Sequence, residues 1–260
     1  MRYFVELAYD GSAYHGWQIQ PNAITVQEVL TDAICKLIRT PDTHIMGAGR
    51  TDTGVHADYF VAHFDTPSPI DDTRSAVFKL NSILPPDVSV FSIQQVDEKL
   101  HSRFSALSRT YHYRLTDIKD PLSRGFTFRP FFHLDYDLMN EAASHLLSVS
   151  DFSSFSKTGT QVKTNICHVS RAHWFRQSDG RMTFEIKADR FLRNMVRAVV
   201  GTLFEVGKGK MSLAQFDDVV RTQNRSAAGM SVAATALSLV AIEYPCGHGF
   251  SPTVVQPIVR

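Results

Sequence analysis

Asp52 stands in the run GAGRTDTGVHA (Gly47 to Ala57), with Arg50, Thr51, Thr53 and Gly54 around it and glycines at positions 47 and 49 ahead of it. Glycines there let the main chain approach a ligand closely, so a carboxylate held on this turn could act as nucleophile or base. The same residues also fit an Asx-turn in which Asp52 merely caps the backbone beside Gly54. A phosphate cradle on Gly47, Gly49 and Gly54 is a third reading, but the segment lacks the lysine of a P-loop and does not match GxGxxG. Arg190, Arg193 and Arg197 recur at i, i+3 and i+7, which on a helix would give them one face, with Met195, Val196, Val199, Val200 and Leu203 filling the remainder. Such a stripe could track phosphates, one guanidinium could keep a buried carboxylate ionised, or the arginines could form an ordinary solvated face. Tyr111, His112, Tyr113 and Arg114 alternate, so on a strand the tyrosines point one way and His112 and Arg114 the other. A tyrosine ring could stack on a nucleobase or simply pack the sheet. The 11 histidines show no HxH or HExxH spacing, and Cys246 with His248 has no partners nearby in sequence, so no metal site is expected.

The elements that must position these groups follow from periodicity and punctuation. Residues 2 to 10 are aromatic and branched and run into Gly11, which predicts an opening strand; the loop after it carries Trp17. From Val26 the apolar residues fall at helical spacing as far as Ile38, with Thr25 and Glu28 as a capping box. A short strand near His44 to Ala48 enters the Asp52 loop, and a second, Asp58 to Thr66, leaves it. A helix over 71 to 84 ends at Pro85 and Pro86, and Ser89 to Val96 and Thr110 to Thr116 alternate as strands. Further helices are predicted at 137 to 149, 191 to 206 and 212 to 222, and strands at 167 to 176, 181 to 188 and 237 to 244. Strand and helix mix without strict βαβ order, so the expected class is α+β, with a mixed, largely antiparallel sheet flanked by helices.

A chain of 260 residues with 43% apolar and 20% charged side chains buries a real core and is neither disordered nor fibrous. The net charge of +1 excludes a histone-like binder, but its distribution is uneven: residues 1 to 100 hold 7 basic and 13 acidic side chains, residues 101 to 260 hold 20 and 13. The division suggests two lobes, 1–105 with the Asp52 loop and 106–260 with the tyrosine strand and arginine helix, around a central basic cleft suited to an anion. Cys35, Cys167 and Cys246 form no CxxC pair, which fits a reducing cytoplasm. Glu6 and Asp10 interrupt the apolar start, so no signal peptide is expected, and no run reaches the length of roughly 20 apolar residues that spans a bilayer.

The run GRTDTGVHA resembles the signature G-R-T-D-x-G-V-H-A of the tRNA pseudouridine synthase A family. SRTYHYRL (Ser108 to Leu115), DFSSF (Asp151 to Phe155) and RFLRNMVRAVVGTL (Arg190 to Leu203) resemble that family's tyrosine, mid-chain and arginine-helix motifs in the same order. Near the end the sequence departs: it reads AATALSL (Ala233 to Leu239) where members usually carry A-P-x-x-G-L-x-L. The resemblance implies the pseudouridine synthase fold and the isomerisation of uridine to pseudouridine at positions 38, 39 and 40 of the tRNA anticodon stem-loop, without cofactor or metal. It further implies a homodimer whose partner is the tRNA anticodon arm, with no membrane association. Carried over by position, Asp52 is the essential carboxylate, Tyr111 the ring on the uracil, Arg197 the ion-pair partner of Asp52 and Arg50 the residue that fills the place of the extruded base. Leu237 is the retained apolar contact, and Arg190 and Arg193 meet RNA. A noncatalytic tRNA-binding protein and a nucleoside hydrolase remain the competing classes; the hydrolase would commonly need a second carboxylate or a metal.

Overall fold

The computed structural model describes residues 1–41, 43–157, 159 and 163–252. The chain divides into two compact units: Met1–Leu107 joined by the segment from Leu239 onward, and Ser108–Ser238. The segment from Leu239 thus goes with the first unit, whereas the sequence division at 105 assigns it to the second; its Tyr244 and Phe250 rings pack on Phe4 of the opening strand.

In the first unit, β1 (Arg2–Tyr9) leads to α1 (Val26–Ile38), β2 (Met46–Gly47), β3 (His56–Asp65), α2 (Thr73–Ile83) and β4 (Val88–Val96). β1 lies between β3 and β4 and is antiparallel to both, with Phe4 opposite His63 on one side and Gln94 on the other. Tyr3 to Leu7 are all buried, including the carboxylate of Glu6, which accepts from Tyr59 Oη at 2.5 Å and Gln94 Nε2 at 2.8 Å. Donors of this kind let an acid sit in a strand interior. α1 buries Val26, Leu30, Ala33 and Ile34, the stripe its spacing predicts, and Thr25 caps it by accepting from the Glu28 amide. Of the predicted box, this Thr25 half is the one the structure shows. α2 ends where Leu84 leaves the helical region ahead of Pro85.

The second unit holds β5 (Ser108–Leu115), α3 (Tyr136–His145), β6 (Val169–Arg176), β7 (Met182–Ala188), α4 (Met195–Gly207) and α5 (Leu213–Thr222). β7 lies between β5 and β6, antiparallel to each. Tyr113, Phe184 and Trp174 form one cross-strand row, and Phe204 of α4 meets the rings of Tyr113 and Trp174. Asn140 of α3 grips Trp174 of β6, donating to its carbonyl and accepting from its amide. A true capping box does occur at Ser212 and Gln215, starting α5. β8 (Leu237–Glu243) then returns the chain to the first unit, where Tyr244 and Phe250 pack on Phe4 with centroids 5.3 and 5.0 Å away. The fold is α+β with antiparallel strand pairs, as the sequence predicts. Among the described residues, no helix is long and apolar enough to cross a membrane.

Candidate functional site

Asp52 and Arg50 belong to the first unit, and Tyr111, Arg190, Arg193, Arg197 and Leu237 to the second. Each set has its own scaffold.

The Asp52 loop begins where β2 ends: Gly47 pairs with Ala62, and the Ala48 amide still donates to Val61 O. Beyond this the loop is fastened to the segment that follows β1. Tyr9 Oη and Thr51 Oγ1 are 2.9 Å apart, and Trp17 donates its amide to Thr51 O. Gly54, at φ +78°, donates to Tyr14 O, and the Val55 amide donates to the main-chain carbonyl of Asp52, closing a turn. Two glycines permit this approach. A Cβ on Gly11 would stand 2.0 Å from Val55 O, and one on Gly16, itself at φ +85°, 2.3 Å from Thr51 O. Gly47 has a different job, since a Cβ there would strike the Trp17 indole at 2.5 Å. That indole is buried and stacked on Phe60 at 4.2 Å.

At the exit of the loop, the buried His56 has its Nδ1 3.0 Å from the Gly11 amide, from which it accepts, and 3.0 Å from Asp10 Oδ1. Tyr14 is bound by its hydroxyl to Asp87 at 2.6 Å; burial and that carboxylate push its pKa up. The result is a half-buried Asp52 and an exposed Arg50 on a loop held from several directions. In the sequence Gly11 marks only the end of a strand and Trp17 only a loop, and the bracing roles of Gly11, Tyr14 and Gly16 are not evident; the pair of glycines five apart ahead of a tryptophan is the available signal.

In the second unit Tyr111 lies on β5 opposite Ile186, buried, with Phe191 edge-on to it at 5.0 Å and 83°. Phe191 is a contact that strand alternation could not reveal. Tyr113 shares this face and is fully buried, whereas His112 lies on the opposite side and bonds Glu185 at 2.9 Å. Burial alone would raise the Glu185 pKa, but the hydrogen bonds from Arg171 and His112 hold it below the usual carboxylate range.

The arginines differ from their predicted arrangement. α4 begins at Met195, not at 191, because Asn194 takes the left-handed conformation (φ 66°) and the Met195 amide closes a turn on Leu192 O. Arg190 and Arg193 therefore precede the helix, and the three arginines share no helical face. Asp189 Oδ1 accepts from the Arg190 and His168 amides and shapes the approach.

Arg197 is in the helix, half-buried, with Nε donating to Val232 O at 2.8 Å while the Val232 amide donates to Arg197 O. The first bond orients the guanidinium and the second ties the two main-chain segments together. The pairing depends on Gly201, where a Cβ would stand 1.8 Å from Met230 O, and on Asn194, whose side chain bonds Ser231. Leu237 opens β8 after a 3-10 turn over Ala234–Ala236 and is 4% exposed, so the divergent AATALSL segment still buries its leucine.

Among the described residues, no group of three or more histidine, cysteine or acidic side chains is placed to hold a metal ion. One scaffold carries Asp52 on a fastened loop, and the other carries a tyrosine and an oriented guanidinium. Residues 108–238 carry 18 basic and 12 acidic side chains, so the second unit is the cationic one.

The chain matches the tRNA pseudouridine synthase family over residues 142–245. It is 52% identical over 246 residues to tRNA pseudouridine synthase A of Bacteroides thetaiotaomicron, covering 94% of this chain and 91% of that protein. The enzyme of the same name from Bacteroides fragilis is 51% identical over 244 residues (94% and 96% covered), and that of Thermoanaerobacter pseudethanolicus 38% over 242 (92% and 98%). The chain belongs to the tRNA pseudouridine synthase A family, enzymes that isomerise uridine in tRNA.

Proposed function

We propose that this chain converts uridine to pseudouridine at positions 38, 39 and 40 of the tRNA anticodon stem-loop, with Asp52 as the reacting carboxylate and without a cofactor. The observation that carries the reading is the Asp52 loop: a half-buried carboxylate in GRTDTGVHA, fastened at Thr51, Gly54 and Val55 so that it does not have to be organised during the reaction.

Breaking the bond between ribose C1′ and uracil N1 develops positive charge on the sugar. An ionised carboxylate can stabilise that charge, attack C1′, or take the 2′ proton. The uracil then turns, C5 bonds to C1′ and the C5 proton leaves as N1 gains one, so the product is an isomer. Tyr111 stacks on the uracil and helps move the C5 proton. Arg197 is the counter-charge that keeps Asp52 ionised, and its tie to Val232 supports a fixed direction for that charge. Arg50 fills the place of the everted base, Leu237 offers an apolar contact, and Arg190 and Arg193 meet phosphates of the cationic unit's ligand. Extruding a stacked uridine costs on the order of a few kcal/mol, which aromatic stacking and phosphate contacts offset. The same reading makes the enzyme a cytoplasmic homodimer.

The test is Asp52→Asn and Asp52→Ala with unmodified tRNA transcript labelled with tritium at uridine C5. Tritium release and the alkali-stable carbodiimide adduct of pseudouridine should vanish while tRNA binding survives. Retained turnover removes Asp52 from the chemistry, free uracil as product would indicate a hydrolase, and wild-type binding without pseudouridine a noncatalytic binder.

A further inference from the structure

The turn after β4 carries an aromatic and cationic pair that the uridine chemistry does not use. Ser105 donates its amide to His101 O, the His101 amide donates to Ser105 Oγ, and the amides of Arg103 and Phe104 both point at His101 Nδ1, at 3.1 and 3.2 Å. The turn is anchored from below by the fully buried Ser102, whose hydroxyl donates to Met46 O at 2.7 Å and whose carbonyl accepts from Tyr244 Oη at 2.5 Å. The rings of His63, His101 and Phe104 follow one another at centroid separations of 4.5 and 4.4 Å and end at Phe104, which is 78% exposed. The Arg103 guanidinium lies 5.7 Å from the centre of the Phe104 ring.

Single exposed apolar residues are common on proteins and need no explanation by themselves. Phe104 is different because six hydrogen bonds and two supporting rings hold its turn in one shape. A rigid ring flanked by a guanidinium offers an aromatic face to a base and a cation to its phosphate, the combination that takes up unpaired nucleotides. The cation favours an anionic polymer over a second apolar surface. Position supports the same ligand, since Met46, which Ser102 grips, is the residue immediately before the Asp52 loop begins at Gly47.

We propose that Phe104 and Arg103 form a stacking subsite for an unpaired base of the tRNA substrate other than the reacting uridine. The proposal rests on the proposed function for the identity of the RNA.

Phe104→Ala and Phe104→Trp in the full chain test it. F104A should leave the melting temperature unchanged, because the side chain is exposed, and raise the tRNA Kd and KM by about tenfold or more, with the loss falling on KM rather than kcat. F104W should keep wild-type affinity, and its added indole should be quenched by saturating tRNA; the native Trp17 and Trp174 are both buried and give a steady background. An F104A Kd within twofold of wild type overturns the subsite, as does F104W emission that tRNA leaves unmoved. A change of sedimentation in F104A at unaltered Kd assigns the ring to a second copy of the chain and equally overturns it. These binding readouts stand apart from Asp52: turnover in D52N would sink the catalytic reading without touching them.

Discussion

Gly16 and Thr51 approach so closely that a methyl group on the glycine would stand 2.3 Å from the threonine carbonyl oxygen, one residue before Asp52. The contact joins the segment after β1 to the Asp52 loop, and Gly16 also needs its positive φ of 85°.

Gly16→Ala should therefore combine left-handed strain with displacement of the Asp52 loop, costing about 3 kcal/mol or more and most of kcat. Gly180→Ala is the control. It shares φ 85° but has open space around it, so it should cost only about 1 kcal/mol and no activity. Equal losses in thermal unfolding and tritium release for the two variants would refute the contact's role.

On the second unit, Gly201→Ala should push residues 229 to 232 off α4 and release Arg197 from Val232. Tritium release should fall by at least tenfold, and the Val232 amide should exchange hydrogen faster in mass spectrometry. Unchanged exchange at Val232 would show that the segment does not depend on that close approach.

Tyr59→Phe should cost about 2 to 3 kcal/mol in urea unfolding, because it takes a donor from the buried Glu6 carboxylate. Glu6→Leu combined with Tyr59→Phe should be more stable than Glu6→Leu alone, since the buried Tyr59 hydroxyl is then no longer left facing an apolar side chain. Strictly additive losses would count against direct coupling.

His63 gives a pH prediction with a definite sign. Burial first, then the charges of Arg2 and His101, lower its pKa from the ordinary 6.5 to about 4, so the native state favours the neutral ring. The unfolded chain binds the proton more readily. Stability is whole above about pH 6.5, declines as pH falls toward 4, and levels off below, with a loss of at most about 3 kcal/mol. His101 shifts in the same direction through burial. Unfolding free energies of wild type and His63→Gln between pH 7 and 4 check this; the variant should show a shallower decline, and parallel curves would acquit His63.

Much of this architecture is legible in local pattern. The apolar spacing of α1 and its Thr25 cap, the alternation of β5 and the proline stop after α2 each report a residue's immediate surroundings, and there the structure agrees. Misreadings arise where distant residues decide. Asn194 adopts a left-handed conformation while Ser231 holds its side chain, and this shortens α4 and separates Arg190 and Arg193 from the face of Arg197. Gly11 and Gly16 are required by carbonyls some 35 to 44 residues away, a demand no window of neighbours can express. The Asp52 loop is recognisable from its motif, whereas the parts that brace it are not. Phe191 against Tyr111 is equally invisible until β5 and the turn after β7 are brought together.

Tyr244 and Phe250 complete the seat of Phe4, and the Gln94 side chain is doubly bonded to the main chain of Ser251. On the ribosome, Phe4 emerges long before those partners are translated. A nascent chain stopped short of Leu239 leaves Phe4 without these ring partners in the very unit that bears the Asp52 loop. The half that is made first therefore cannot complete its core until the segment that is made last arrives.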